Sequence, residues 1–180
     1  ESGEKKFSLA IDKHRLVPLG EKIPDFPYLS NKSLSAVGGL DPGDPSRLLS
    51  WSGPPVAVAI CYELSDGNAL AKAVKDGAEW ILAVANLDPY PTSLQRQFTS
   101  LAQLRSIETS RDLISAANTG PSSMISASGE VKSILPPFTE GTALAELKLN
   151  KRMTGYARWQ EAPLFCLLFI GCFGIFFLRR

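Results

Sequence analysis

The chain has 180 residues, with 19 lysines and arginines against 18 aspartates and glutamates, and a formal net charge of +1. This balance disfavours a nucleic-acid-binding protein, which normally carries a basic excess, so we expect no nucleic-acid partner. A content of 44% hydrophobic and 21% charged residues excludes a disordered polyelectrolyte, and the length suffices for one globular domain with a core.

Strand and helix patterns alternate along most of the chain. Val56–Ile60 and Trp80–Ala85 are short apolar runs, typical of strands buried on both faces. The predicted elements are, in chain order, a strand at 7–11, a strand at 56–60, a helix from Ser65 or Asp66 to about Lys75, a strand at 80–85, a helix at 94–111, and strands at 113–117, 123–127 and 142–149. This order predicts an α/β domain built in layers.

The last part of the sequence is a long apolar run. Residues 162–178 contain no charged side chain, and Arg179 and Arg180 follow them. As a helix the run would be about 26 Å long, near the lower limit for crossing a bilayer. We therefore predict a domain at 1–150, a linker at 151–161 and a transmembrane helix at 162–178. A buried core helix is the alternative, but such a helix usually keeps a polar stripe.

One cysteine occupies a position suited to a nucleophile. Cys61 directly follows the predicted strand Val56–Ile60 and precedes a helix start. A strand-to-helix turn exposes its side chain at the carboxyl end of a sheet, where ligands bind in open α/β folds, and it presents backbone N–H groups to an oxyanion. The alternative is a cysteine that is merely packed, as is common after an apolar strand.

A second group of polar residues follows the first predicted strand. Lys13 could stabilise a thiolate and an oxyanion, and Glu21 could hold that lysine or a substrate amine. Both could equally be solvated surface charges. His14, the only histidine, should point to the opposite face from Lys13, which disfavours it as a base for Cys61. One histidine and one cysteine outside the apolar run are too few for a zinc site, so we expect no metal and no cofactor.

Together these segments resemble the carbon–nitrogen hydrolase (nitrilase) superfamily. The resemblance rests on Lys-x-x-Leu-Val-Pro-Leu-Gly-Glu at 13–21, Ile-Cys-Tyr-Glu at 60–63, Arg-x-x-Glu at 105–108 and Asn-Thr-Gly at 118–120. The Leu-Val-Pro-x-Gly-Glu loop, Thr-Gly-Tyr-Ala-Arg at 154–158 and the closing apolar helix with its basic end are similar to one branch, the apolipoprotein N-acyltransferases.

The resemblance implies the second half of an α-β-β-α sandwich with a Glu–Lys–Cys catalytic set. Cys61 matches the nucleophile, Lys13 the lysine and Glu21 an additional active-site carboxylate. Tyr62 and Glu63 match the oxyanion and substrate positions after the cysteine. The general-base glutamate of the family lies upstream of the lysine, where only twelve residues are present and no motif matches.

The implied activity is lipoprotein maturation by a membrane enzyme. An acyl group would pass from a phospholipid donor, through a thioester on Cys61, to the amino-terminal diacylglyceryl-cysteine of an apolipoprotein. The basic end of the apolar helix implies a catalytic domain on the periplasmic side of the inner membrane. The loop at 18–55, rich in Pro, Gly, Ser and Asp, would serve as a lid or acyl-chain guide.

Three other interpretations stay open from the sequence. The chain could belong to a membrane-tethered amidase or nitrilase that releases its acyl group to water. It could be a non-catalytic fragment without the general-base glutamate, or it could be a membrane-anchored binding module. The reactivity of Cys61 and the fate of the acyl group distinguish them.

Overall fold

The structure is a computed structural model that describes residues 10–18, 20–22 and 39–178. In this part of the chain six strands form one mixed sheet in the order β1-β2-β3-β4-β5-β6. The strands are β1 Leu48–Leu49, β2 Val56–Ile60, β3 Trp80–Ala85, β4 Leu113–Ala117, β5 Ser122–Ile125 and β6 Val131–Leu135. β2, β3 and β4 run parallel, and the remaining neighbours pair antiparallel.

Helices α1 Gly67–Lys75 and α2 Thr92–Thr109 cover one face of this sheet. α3 Gly155–Trp159 packs against both of them, α4 Ala162–Leu178 follows it, and a 3₁₀ helix spans Cys61–Ser65. The core forms where Ala59, Ile81 and Leu113 of the parallel strands meet Leu70 of α1 and Ala102 of α2. Because β2, β3 and β4 run parallel, their carboxyl ends meet at one edge of the sheet, where ligands bind in open α/β folds.

Helix α1 has clear end signals. The carboxylate of Asp66 accepts a hydrogen bond from the Ala69 N–H at 3.0 Å, which satisfies one of the unpaired donors of the first turn. The chain leaves the helix through Gly77, whose φ of 122° is accessible to glycine but strained for other residues. The predicted helix from Ser65 or Asp66 to about Lys75 is therefore confirmed, with Asp66 as its cap.

Three sequence predictions differ from the structure, and a fourth, the strand at 7–11, lies largely outside the described residues. The helix predicted at 94–111 occupies Thr92–Thr109, and the strand predicted at 123–127 occupies Ser122–Ile125. The strand predicted at 142–149 is wrong, because this segment is irregular and is held by side chains: the Lys148 N–H donates to Asp112 at 2.7 Å.

The segment predicted as a linker packs against the domain. Residues 151–161 include α3, whose Ala157 is buried in the core. The buried guanidinium of Arg111 donates to the Arg152 carbonyl at 2.7 Å and to the Ala78 carbonyl at 2.9 Å. These bonds attach the start of residues 151–161 to the globular domain. α3 is therefore part of that domain, and α4 follows it directly.

The carboxyl-terminal helix begins and ends at the predicted residues, but the predicted membrane crossing is not confirmed. α4 runs from Ala162 to Leu178, and its side chains from 162 to 174 are exposed. Within residues 10–18, 20–22 and 39–178, no helix combines the length and the apolar character needed to cross a membrane. The transmembrane prediction is therefore not confirmed by the structure.

Candidate active site

Cys61 lies at a sharp turn where β2 ends. Its φ of 53° is in the left-handed region, a strain of roughly 1–3 kcal/mol for a non-glycine residue that is enriched at functional sites. The 3₁₀ helix Cys61–Ser65 begins at once, and the Ile60 N–H donates back to Glu63 at 2.9 Å. The turn therefore holds the Cys61 side chain at the carboxyl edge of the parallel strands, as the sequence predicts.

Lys13 and Glu21 form a short, partly buried ion pair. The Lys13 Nζ lies 2.6 Å from both carboxylate oxygens of Glu21. The Val17 N–H donates to the same carboxylate at 2.8 Å, and the Glu21 N–H donates to the Val17 carbonyl at 2.8 Å, which closes a compact loop. The two residues are thus not separate solvated surface charges.

The charge state of Glu21 follows from these contacts. Partial burial by itself would raise the pKa of Glu21. The hydrogen bonds from Lys13 and from the Val17 N–H, with the positive charge of Lys13, outweigh burial and hold the pKa below its ordinary value. Glu21 therefore stays ionised at neutral pH and is a weak proton acceptor.

One cavity of about 650 Å³ brings the predicted residues together. Lys13, Glu21 and Cys61 all line it, together with the ends of β3 and β4, through Val84 and Ala116. An ammonium group and a thiol thus face the same space. A cation near a thiol favours the thiolate and can also stabilise an oxyanion formed on the attacked carbonyl.

Glu63 takes a different position from the other predicted residues. It is buried, and it lines neither the cavity described above nor a second cavity that also borders Cys61. Its carboxylate accepts from the buried Arg47 guanidinium at 2.8 and 2.9 Å. It also accepts the N–H groups of His14 at 2.6 Å and Arg15 at 3.1 Å. Glu63 therefore ties the Lys13 segment to the Cys61 turn.

Arg47 is a site residue that the sequence analysis missed. It lies in a loop of irregular composition, and no local pattern distinguishes it from a surface arginine. Its guanidinium also donates to the Asp44 carbonyl. Because only the tertiary fold brings residues 47 and 63 together, a spacing rule could not have found this pair.

Tyr62 and His14 lie at the edge of the site. The Tyr62 ring is partly exposed, and the Arg15 guanidinium lies 5.2 Å from its centroid. Arg15 is also paired with Asp66 at 2.8 Å, so the ring is held between the two segments. The Nδ1 atom of His14 lies 2.8 Å from the Gly43 carbonyl, and His14 does not line the Cys61 cavity.

A pair of asparagines orders the loop after β3. The Asn118 Nδ2 donates to Asn86 Oδ1 at 2.7 Å, and the Asn118 Oδ1 accepts the Leu87 N–H at 2.9 Å. These bonds join the ends of β4 and β3 and present Pro89 and Tyr90 to the cavity. The sequence motif at 118–120 includes Asn118, but nothing in the sequence connects it with Asn86.

We expect Lys13→Met to slow alkylation of Cys61. The substitution removes an ammonium group from the cavity that Cys61 lines and leaves the Glu21 carboxylate there without its counterion, and both changes disfavour negative charge on the sulfur. The rate of iodoacetamide labelling should be measured against pH in a background that carries Cys166→Ala and Cys172→Ala.

Lys72→Met is the matched control for this measurement. Lys72 forms an exposed ion pair with Asp76 on α1, remote from the cavity. Its removal should leave the labelling rate unchanged. An unchanged rate in Lys13→Met as well would show that Lys13 does not act on the thiol.

Sequence comparison identifies the family to which this arrangement belongs. The profile of carbon–nitrogen hydrolases matches residues 7–154. The chain belongs to the carbon–nitrogen hydrolase family. This result confirms the superfamily that the motifs around Lys13 and Cys61 indicate, and it places both residues inside the matched region.

Curated relatives point to one branch of the family. Proteins named apolipoprotein N-acyltransferase from Prochlorococcus marinus and Parasynechococcus marenigrum are 62% and 60% identical over 172 and 148 residues. A protein of the same name from Shewanella oneidensis is 32% identical over 188 residues. The resemblance predicted from the motifs is confirmed. These matches cover 95%, 82% and 98% of this chain, but it spans only about a third of the relatives: 35%, 32% and 35% of their lengths.

Solved structures agree on the fold. A cysteine-to-alanine mutant of the Nesterenkonia AN1 amidase, from the nitrilase superfamily, matches with a TM-score of 0.53 at 19% identity. The match covers 72% of this chain and 50% of the amidase. The chain therefore has a nitrilase-like α/β fold with a mixed sheet.

Proposed function

We propose that the native protein containing this sequence is an apolipoprotein N-acyltransferase that works through a thioester on Cys61. The observation that carries the proposal is the single cavity lined by the Cys61 thiol and the Lys13–Glu21 ion pair. The high identity to proteins named apolipoprotein N-acyltransferase supports the choice of acyltransferase within the family.

In the first step the Cys61 thiolate attacks the ester carbonyl of a phospholipid. A carbon–sulfur bond forms, the ester carbon–oxygen bond breaks, and the lysophospholipid leaves as an alcohol after taking a proton. The Lys13 ammonium and the Tyr62 N–H stabilise the negative oxygen of the tetrahedral intermediate. The first turn of a 3₁₀ helix suits this task because its N–H groups have no partner within the helix.

In the second step the amine of an amino-terminal diacylglyceryl-cysteine attacks the thioester. A carbon–nitrogen bond forms, the carbon–sulfur bond breaks, and the thiolate is restored as the amine loses a proton. A thioester suits this exchange because a thiolate is a better leaving group than the amine that displaces it. No cofactor takes part in either step.

The two described carboxylates near the site do not serve as its general base. Glu21 is held ionised by Lys13, and Glu63 is buried with Arg47, so each already has an internal partner. Glu21 positions Lys13, and Glu63 positions the Cys61 turn. The resemblance assigns the proton transfers to a glutamate upstream of Lys13.

We propose that α4 lies in the hydrocarbon of a lipid membrane. The helix is apolar on every side, and its side chains such as Leu167 and Phe169 are more than two thirds exposed, at 68% and 71%. A helix that is hydrophobic all round is stable only in an apolar environment. Lipid around α4 keeps the Cys61 cavity near the surface where both substrates are anchored, with the domain on the periplasmic side of the inner membrane.

The uncovered face of the sheet is consistent with the four-layer sandwich implied by the resemblance. Leu82 and Ile114 point away from the helices and are only half-buried among the described residues. In the proposed enzyme a second sheet packs against these side chains and completes the α-β-β-α arrangement.

The fate of the acyl group tests the proposed function. The native protein in phospholipid vesicles should be supplied with a diacylated lipopeptide, and the products identified by mass spectrometry. We expect the lipopeptide to gain one acyl chain at its amine, in equal amount with lysophospholipid. Free fatty acid in place of the acylated peptide would instead identify a hydrolase, and the absence of the acylated peptide, free fatty acid and lysophospholipid would identify a non-catalytic protein.

A further inference from the structure

A second cavity begins at Cys61 and differs in chemistry from the first. Its volume is about 340 Å³, and it lies between the 3₁₀ helix and α2. Cys61, Val17 and Tyr90 line both cavities, so the thiol stands where they meet. The first cavity has the charged pair Lys13–Glu21 in its wall, whereas no charged residue lines the second.

Helix α2 supplies the apolar wall of this second cavity. Leu94, Phe98 and Leu101 are spaced by four and three residues, which places them on one side of the helix. Leu94 is 39% exposed, and the other two are only partly buried. Gln97 lies among them, and Leu64 and Leu87 face them from the other side. The described residues thus form a row of apolar side chains along α2, and the cavity that this row lines extends to Cys61.

We propose that this second cavity holds the hydrocarbon chain of the acyl group while its carbonyl is attached to Cys61. The inference rests on the proposed function and adds the place of the chain and the residues that select it. Continuity with the sulfur decides the occupant, because an acyl group on Cys61 must extend from that atom. The uncharged wall receives the chain, and the Lys13 side receives the polar reacting atoms.

The proposal predicts how activity depends on chain length. Each methylene buried along α2 improves binding about fourfold, since burial of one methylene is worth ~0.8 kcal/mol. We expect kcat/KM to rise through octanoyl, lauroyl and palmitoyl donors with the same head group until the cavity is filled. Because the reacting ester is the same in all three donors, the increase of kcat/KM with chain length reports binding of the hydrocarbon chain and not the chemistry at the sulfur.

Leu94→Asp should weaken the increase of kcat/KM with acyl-chain length. The charge would lie in the apolar wall, yet an acidic residue in the first turn of a helix is favoured by the helix dipole, so α2 should remain folded. We expect kcat/KM for the palmitoyl donor to fall tenfold or more. Ser93→Asp is the matched control, because it adds the same charge in the same turn outside the cavity, and it should leave the rise unchanged.

Gln97→Leu should act in the opposite direction. It replaces the polar side chain of the wall by an apolar one, and Gln97 is exposed, so the domain should tolerate it. We expect a lower KM for the palmitoyl donor. If acylated Cys61 forms but neither Leu94→Asp nor Gln97→Leu changes the dependence on chain length, the proposed chain site is wrong while the proposed function stands.

A crosslinking amino acid at position 97 identifies the occupant directly. Irradiation of the native protein in phospholipid vesicles should add the mass of one phospholipid or one acyl chain. A crosslink to another protein or to a second copy of the chain would overturn the proposal, because the cavity would then be a docking surface. If the wild-type protein forms no acylated Cys61 with any donor, both the chain site and the proposed function fail.

Discussion

Replacing Cys61 by Ala should abolish acyl transfer by the native protein. The substitution removes the only thiol that lines the cavity with Lys13 and Glu21, and no thioester can then form. Loss of a nucleophile lowers kcat by roughly four orders of magnitude or more. The measurement is the yield of N-acylated lipopeptide, together with the intact mass of the protein after incubation with phospholipid alone.

The other two cysteines provide the control. Cys166 and Cys172 lie on α4 and are exposed there, far along the chain from the cavity. Their alanine variants should retain both the acylated intermediate and the transfer. Activity that survives Cys61→Ala would show that the acyl group does not pass through this sulfur, and the mechanism proposed above would have to be abandoned.

Replacing Arg47 by Met should destabilise the protein more than any surface substitution. The side chains of Arg47 and Glu63 are each only 2% exposed. Removing the arginine leaves a buried carboxylate without its counterion, which typically costs about 3–5 kcal/mol. The free energy of unfolding should fall by this amount, and Cys61 should react more slowly, because the Glu63 carboxylate also holds the turn that carries it.

A second substitution, added to the first, separates the cost of the unpaired buried charge from the other effects of losing Arg47. In Arg47→Met with Glu63→Gln neither charge of the pair remains, and the amide oxygen can still accept the N–H groups of His14 and Arg15, whereas the Ile60 N–H loses its acceptor. We expect much of the lost stability to return. Arg96→Met, on the exposed side of α2, is the control and should change the free energy of unfolding by less than about 0.5 kcal/mol. An equally mild effect of Arg47→Met would contradict a structural role for the pair.

The sequence predicts the central strands well because their signals are local. Val56–Ile60 and Trp80–Ala85 are apolar runs bounded by turn residues, and the structure keeps these bounds. The alternation at 142–149 also favoured a strand, but this segment makes side-chain and backbone bonds to the domain instead, such as that from the Lys148 N–H to Asp112. Local alternation cannot reveal whether a neighbouring strand is available.

The site shows the same difference between local sequence signals and contacts that only the fold creates. The resemblance gave Lys13, Glu21 and Cys61, and the structure brings these three around one cavity. Their catalytic roles stay predictions. Glu63 matched a family position, but its partner Arg47 could not be predicted because a loop of irregular composition carries it. Contacts between residues distant in sequence depend on the fold, and no pattern within either segment records them.

The carboxylate of Glu63 has a consequence for when the protein becomes reactive. It gathers donors from residues 14, 15, 47 and 60, which approach one another only in the completed fold. A nascent or partly unfolded chain therefore presents an ordinary cysteine, without a neighbouring ammonium group. We therefore expect Cys61 to react with acyl donors only after the segments that carry residues 14, 15, 47 and 60 have folded together.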